Sequence, residues 1–359
     1  MTLSIQEIQH KFKNQRFTNK IRHRDFAHSI GISEAELLAA HLGPDHAKTE
    51  TNFRTIRLRS EWPDIIAEAH SLGEVMALTR NESCVHEKLG HYGQPTGQNN
   101  ELLIGNAIDL RLFFKEWAHG FAVIENLHLD CRRSLQFFDQ YGHALHKIII
   151  RENSDIFAFE SMIERYRSEN QEPHIEISSR KVNKKPLIDI GIDLPGFHRA
   201  WLGMSDTHEF FDLIKQHKLS RIQALRFAPD GHAKRVPVHF TRELLRKAAF
   251  KNIPIMVFVM NPGVIQIHTG RISKVVMMDP WLNILDQNFN LHLQEDHIYD
   301  SWVVRKPTDD GIVTSLELFD REGEVIAMFF GERKPGSPEL DSWRRIIEDL
   351  LAKEELCTQ

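Results

Sequence analysis

Ser134-Leu-Gln-Phe-Phe-Asp-Gln-Tyr-Gly142 returns 181 residues later as Ser315-Leu-Glu-Leu-Phe-Asp-Arg-Glu-Gly323. In both copies a strand-length run gives way to Asp-x-x-Gly, the composition of a hairpin loop with glycine at a left-handed position. The same shift relates Ile108-Asp-Leu-Arg-Leu112 to Phe289-Asn-Leu-His-Leu293, and Phe159-Glu-Ser-Met162 to Leu340-Asp-Ser-Trp343. Asn81 through His86 recurs as Asn261 through His268 within one residue of that offset, and Pro44-Asp-His-Ala-Lys48 is echoed by Pro229-Asp-Gly-His-Ala-Lys234. Matches in one order at nearly one offset identify a tandem duplication.

The rest of the chain fits around that repeat. Residues 1–51 read as helices, with Ser33 capping the run up to Leu42 and Gly43-Pro44 ending it. From residue 52 the pattern turns to short alternating strands at 52–58, 73–78, 101–104, 108–113 and 121–124, and each half closes with a helix, near 154–167 and 338–351. Residues 168–186 are polar and aperiodic. The expected architecture is therefore α+β: a duplication, each half a large antiparallel sheet with helices packed on one side. The expected boundaries are 1–167 for the first repeat, 168–186 for a linker and 187–359 for the second repeat.

Composition narrows the function. A net charge of −5 gives no general attraction to nucleic acid or anionic lipid. Cys84, Cys131 and Cys357 are odd in number and widely spaced with no C-x-x-C, which argues against a disulfide scaffold or structural zinc and for a reducing, cytoplasmic setting. No nucleotide-binding glycine loop, H-E-x-x-H or G-x-S-x-G motif occurs. Asp25 to Leu38 resembles a helix-turn-helix beside a basic run from Lys11 to Arg24, which keeps a DNA-binding regulator as the alternative to a packed helical hairpin.

Candidate chemistry sits in residues that break the pattern. In Trp201-Leu-Gly-Met-Ser-Asp-Thr-His208-Glu-Phe-Phe211, Asp206 and Glu209 read as a capping box, which puts His208 in the first helical turn. There the helix dipole favours the neutral, metal-ligating imidazole. Arg111 shares a strand face with Asp109 and Phe113, and the repeat places His292 at the equivalent position. Arg221, Arg305, Lys306 and Arg333 gather near expected strand ends among Trp302, Phe329 and Phe330. Cations beside aromatics suit a planar, apolar ligand that carries carboxylates, haem among many others.

Asn261-Pro-Gly-Val-Ile-Gln-Ile-His-Thr-Gly270, Pro280-Trp281, Phe289-Asn-Leu-His-Leu293, Ser301-Trp302, Arg305-Lys-Pro307 and Leu72-Gly-Glu-Val-Met-Ala-Leu-Thr-Arg-Asn81 resemble the cytoplasmic haemin-degrading or haem-trafficking (HemS-type) family of Gram-negative bacteria. The resemblance spans nearly the whole chain. It implies one haem b per chain in a cleft between the halves, with His208 as the iron ligand. It implies Arg111 on the open face of the haem as the catalytic residue, Phe113 and Phe330 against the porphyrin, and Arg221, Lys306 and Arg333 at the propionates. Where many relatives have Gln-x-Tyr, this chain has Met328-Phe-Phe330, which removes polar groups from that strand. The resemblance further implies a role in haem uptake and iron acquisition. One form is a carrier that hands haem to a downstream haem oxygenase or an inner-membrane haem transporter. The other is an enzyme that opens the porphyrin oxidatively with an external reductant. The sequence leaves carrier and enzyme, and the oligomeric state, open.

Overall fold

The computed structural model describes residues 3–18, 22–43, 53–98, 101–105, 107–127, 130–179, 189, 191–334 and 336–357. Pro44 to Lys48, one arm of the N-terminal echo, lies outside them, as do 180–186 of the expected linker. Two compact units emerge: Met1–Arg80 with Glu87–Lys181 and Asn261–Gln266, and Asn81–His86 with Val182–Met260 and Ile267–Gln359.

The first half of the chain supplies strands β1 (Phe53–Arg57), β2 (Gly73–Arg80), β3 (Cys84–Gly90), β4 (Thr96–Gln98), β5 (Glu101–Ile104), β6 (Asp109–Phe113), β7 (His119–Leu127), β8 (Asp130–Phe138) and β9 (Ala144–Ser154). The second half supplies β10 (Ala233–Val236), β11 (Ile255–Asn261), β12 (Val264–Gly270), β13 (Val275–Met278), β14 (Trp281–Leu285), β15 (Phe289–Gln294), β16 (Asp300–Thr308), β17 (Gly311–Phe319) and β18 (Val325–Gly331). They form two nine-stranded antiparallel sheets, in the orders β1-β7-β8-β9-β2-β3-β15-β14-β13 and β10-β16-β17-β18-β11-β12-β6-β5-β4. Counted cyclically through the strands, the second order is the first advanced by nine. The duplication is structural.

The founding stretch explains why. β8 and β17 each run into an Asp-x-x-Gly loop that returns as β9 and β18. Asp139 Oδ1 accepts from the backbone N–H groups of Tyr141 and His143 at 2.9 and 2.8 Å. Asp320 Oδ1 accepts from those of Glu322 and Glu324, both at 2.9 Å. Gly142 and Gly323 take φ of 76° and 80°, a region that only glycine enters without strain. The ladders keep the same register: Phe121 pairs with Gln136 as Trp302 pairs with Glu317, and Ser134 with Ile149 as Ser315 with Phe330.

Helices cover the sheets as expected. In the first unit, helices Trp62–Glu68 and Ile156–Tyr166 bury Trp62, Ile65, Phe159 and Met162 in a core with Leu110, Leu135 and Ile148. In the second, His239–Phe250 and Asp341–Cys357 bury Phe240, Leu244, Trp343 and Ile347 against Val257, Leu316 and Phe329. Side-chain burial on this scale supplies about 1.5–3 kcal/mol for each large apolar group. The helix-turn-helix-like segment forms helices His23–Ser29 and Glu34–Ala39, the latter opened by a Ser33–Glu36 capping box. Ala35, Leu37, Leu38 and Ala39 are buried, so the second helix packs into the core as a hairpin partner. Among the described residues no helix is long and apolar enough to cross a membrane.

Candidate functional site

His208 lies in the loop between helices Leu194–Leu202 and Glu209–Gln216. The expected Asp206 cap is corrected. The helix starts at Glu209, His208 is the residue just before it, and no side-chain cap bond is made there. Asp206 instead closes a local ring, a common preference of short polar side chains. Its Oδ1 accepts from the His208 backbone N–H at 2.8 Å and lies 2.6 Å from the ring Nδ1. Ser205 makes the contact to Glu209, its hydroxyl donating to Oε1 at 2.5 Å. The Ser205 carbonyl accepts from the Asp309 N–H at 2.9 Å, which ties the loop to the β16–β17 turn.

This contact selects one tautomer of the neutral ring. With Nδ1–H donated to a carboxylate, Nε2 carries the lone pair, the arrangement that orients a metal-ligating imidazole. The His208 backbone N–H and ring, with the Arg333 charge, hold the Asp206 carboxyl below its usual range. The His208 side chain is 66% exposed, and Leu202 and Phe211 on the flanking helices also stand in solvent. The rival histidines are engaged or enclosed. His198 Nε2 bonds the Phe227 carbonyl at 2.8 Å. His86 is buried, and His268 stacks on Phe289 with centroids 3.8 Å apart.

Behind this helix lies a buried ion cluster. Arg221 was expected near a strand end, but it opens helix Arg221–Arg226, behind the Ser220 cap. Its Nε and Nη2 meet Glu317 at 2.7 and 3.0 Å, a bidentate fork. Lys306 Nζ adds a third bond at 2.7 Å and the Ser315 hydroxyl a fourth at 3.1 Å. Burial alone would push the Glu317 carboxyl up, but the Arg221 and Lys306 charges overcome it and keep the group ionised. Burial lowers Lys306 to about 8, with Glu317 opposing the shift. Both cations also face the buried ring of Phe210, Lys306 Nζ at 4.4 Å and Arg221 at 5.1 Å from its centroid. The cluster therefore braces the first turn after His208. Glu317 was missed from sequence, although a carboxylate two places beyond Ser315 in an apolar strand was the available signal.

The remaining residues divide by unit. In the second, Phe330 pairs with Ser315 and meets Phe258 edge-on at 5.1 Å. Met328 faces Glu317 across the ladder, and its sulfur lies 3.3 Å from Arg221 Nη2. Arg333 follows β18; its Nη2 is 3.9 Å from Asp310 and its buried Nη1 has no partner among the described residues. In the first unit, Asp109, Arg111 and Phe113 share the half-buried face of β6 while Leu110 and Leu112 fill the core, as alternation predicts. Burial raises the Asp109 carboxyl, against the pull of Arg111. His292, the counterpart of Arg111, places Nδ1 2.6 Å from Asn283 Oδ1.

Comparison with known proteins places this geometry in context. The "Haemin-degrading HemS.ChuX domain" family matches residues 31–166 and again 218–350. The chain is 39% identical to the hemin transport protein HmuS of Yersinia pestis, over 92% of this chain and 93% of that one. Among solved structures, holo-PhuS, a heme-binding protein from Pseudomonas aeruginosa, superposes with a TM-score of 0.89 at 40% identity, covering 95% of this chain and 97% of that one. The Escherichia coli O157:H7 heme degrading enzyme ChuS gives 0.84 at 35% identity, covering 95% and 98%.

Proposed function

The chain belongs to the haemin-degrading HemS/ChuX family, and on that premise we propose that it binds one haem b per chain in the cytoplasm, with His208 as the axial ligand, and carries it as part of haem uptake and iron acquisition. The observation that carries this reading is the contact of His208 Nδ1 with Asp206, on a side chain that is 66% exposed, which leaves Nε2 for a ligand role.

The residues present fit the group. Arg333, with a buried Nη1 lacking a partner, is the cation best placed to take a propionate. Arg221 and Lys306 are engaged by Glu317, so they serve a propionate only by sharing that carboxylate. Phe330 offers an aromatic wall. Arg111 and Phe113 enter on the family resemblance alone. Haem would supply an iron able to exchange small ligands. The protein's part is to fix one nitrogen donor, exclude water with aromatic surface and neutralise carboxylates at the rim. A carrier of this kind delivers to a protein acceptor, a haem oxygenase or an inner-membrane haem transporter.

A second reading, oxidative opening of the porphyrin, is supported by the likeness to the heme degrading enzyme ChuS. An anaerobic haem titration followed by air, reductant and catalase separates the two. The carrier reading expects saturation at one haem per chain and, after reductant and air, a Soret band that keeps its intensity apart from the shift between ferric and ferrous iron. Stoichiometric bleaching to a biliverdin-like product makes the protein an enzyme, and no saturable binding overturns both.

A further inference from the structure

Two adjacent residues of the β16–β17 turn fasten the loop that carries His208 and the segment that carries Arg333. The Asp309 N–H donates to the Ser205 carbonyl at 2.9 Å, three residues before His208. The Asp310 carboxylate lies 3.9 Å from Arg333 Nη2 and accepts from the Gly336 N–H at 3.0 Å. A second clamp closes the loop itself, where the Ser205 hydroxyl donates to Glu209 at 2.5 Å. The ligand loop and the Arg333 cation are thus held by one turn.

Asp206 stands between the two in charge. Its Oδ1 accepts from the His208 backbone N–H at 2.8 Å and faces the ring Nδ1 at 2.6 Å. The His208 backbone contact first, and the Arg333 charge last, hold this carboxyl low. A carboxylate on Nδ1–H pushes electron density through the ring and makes Nε2 a stronger donor. A neutral carbonyl does so less, and a carbonyl is what His198 meets at Phe227. A cation acting on the carboxylate works the other way and holds its charge back from the ring. The Asp206 and His208 side chains are 51% and 66% exposed, so in water these charges are screened and worth little. A macrocycle held at Nε2 displaces that water, and every charge in the loop then counts for more.

We propose, resting on the reading that His208 binds the haem iron, that Asp206 and Arg333 are opposed positioning residues: the Asp206 charge strengthens the His208–iron bond and the Arg333 charge restrains it. Asp206 then does more than choose a tautomer. Hydrogen bonding to an axial ligand is one of the few levers a protein has on haem iron, and here it carries its own counterweight. The balance suits a carrier, whose bond must be firm enough to hold haem and weak enough to hand it on.

The test is resonance Raman spectroscopy of the iron–histidine stretch in the ferrous, haem-loaded, full-length chain, with the haem off-rate measured alongside. Asp206→Asn keeps an oxygen for the His208 N–H and for Nδ1–H and removes only the charge, at a half-exposed position where the core is untouched. It should lower the stretching frequency and weaken haem retention by about tenfold, the low end of what the loss of such a partner costs a metal site. Arg333→Gln should move the stretch the opposite way, to higher frequency, even though it also removes a cation from the rim. A residue that merely supports the fold has no reason to give opposite shifts for opposite charges. His208→Ala separates this proposal from the reading beneath it. If the band persists in His208→Ala, the ligand assignment itself fails. If the band is lost there, yet stays unmoved in either charge variant or moves in the same direction in both, the proposal alone is overturned.

Discussion

The two repeats place their buried polar groups at different points of one ladder. In the first, Gln136 is neutral and donates to Ser134 at 2.9 Å, and the position matching Lys306 is Glu125, paired with His23 at 3.1 Å. In the second, the matching Glu317 binds Arg221, Lys306 and Ser315. One residue pair along, the pattern reverses. His146 is buried between Tyr92, at 2.5 Å, and Thr79, at 2.9 Å, whereas its counterpart is the buried Ala327. Duplication kept the register and the turns, which depend on backbone geometry. The interior electrostatics diverged, because those depend on which helix packs above each strand. The Glu317 cluster lies behind His208, whereas the first repeat keeps its ion pair between Lys147 and Glu34, at 2.5 Å.

Making the second repeat resemble the first is the harshest test of that contrast. Glu317→Gln leaves Lys306 and Arg221 near each other without their carboxylate, and should destabilise the second unit by about 3–5 kcal/mol. Gln136→Ala in the first should cost about 1 kcal/mol, the worth of one neutral hydrogen bond. Urea unfolding monitored in each unit checks both, and equal losses would break the comparison.

Acid sharpens it further. Burial pushes His146 down to about 3, far below the value of about 6.5 it regains on unfolding. Between those values the unfolded chain takes up the proton and the folded chain does not. Stability is therefore lost as pH falls through that window, by about 1.4 kcal/mol per pH unit from this group. Glu317 shifts in the same direction for a different reason: against the upward push of burial, Arg221 and Lys306 hold its carboxyl low, so its contribution survives until the pH drops below the ordinary carboxylate value of 4.5. Between about 6.5 and 4.5 the first unit should weaken, and His146→Phe should flatten that slope. Urea midpoints across the range measure it.

Much of the fold was legible because its determinants are local. The Asp-x-x-Gly loops, the Ser33 cap and the alternation of Asp109, Arg111 and Phe113 each follow from a few adjacent residues, and all appear as read. The site was legible less completely. Asp206 looked like a helix cap, but a closer donor in the His208 N–H captured its carboxylate. Arg221 looked like a strand-end cation, yet a serine cap one residue earlier starts a helix there. Glu317 reads by alternation as an exposed strand position. Only Arg221, 96 residues away in sequence, converts it into a buried ion pair. The carboxylate in an apolar strand is visible locally, but its partner is not.

His208 carries the central claim, and the haem dissociation rate of His208→Ala, read with its Soret spectrum, tests it most directly. Aromatic surface and the Arg333 charge remain in that variant, so haem should still bind. Loss of the nitrogen donor should shift the Soret band and speed haem release by roughly one to two orders of magnitude. An unchanged spectrum and off-rate in His208→Ala, with both altered in a His198, His86 or His268 variant, would contradict the assignment.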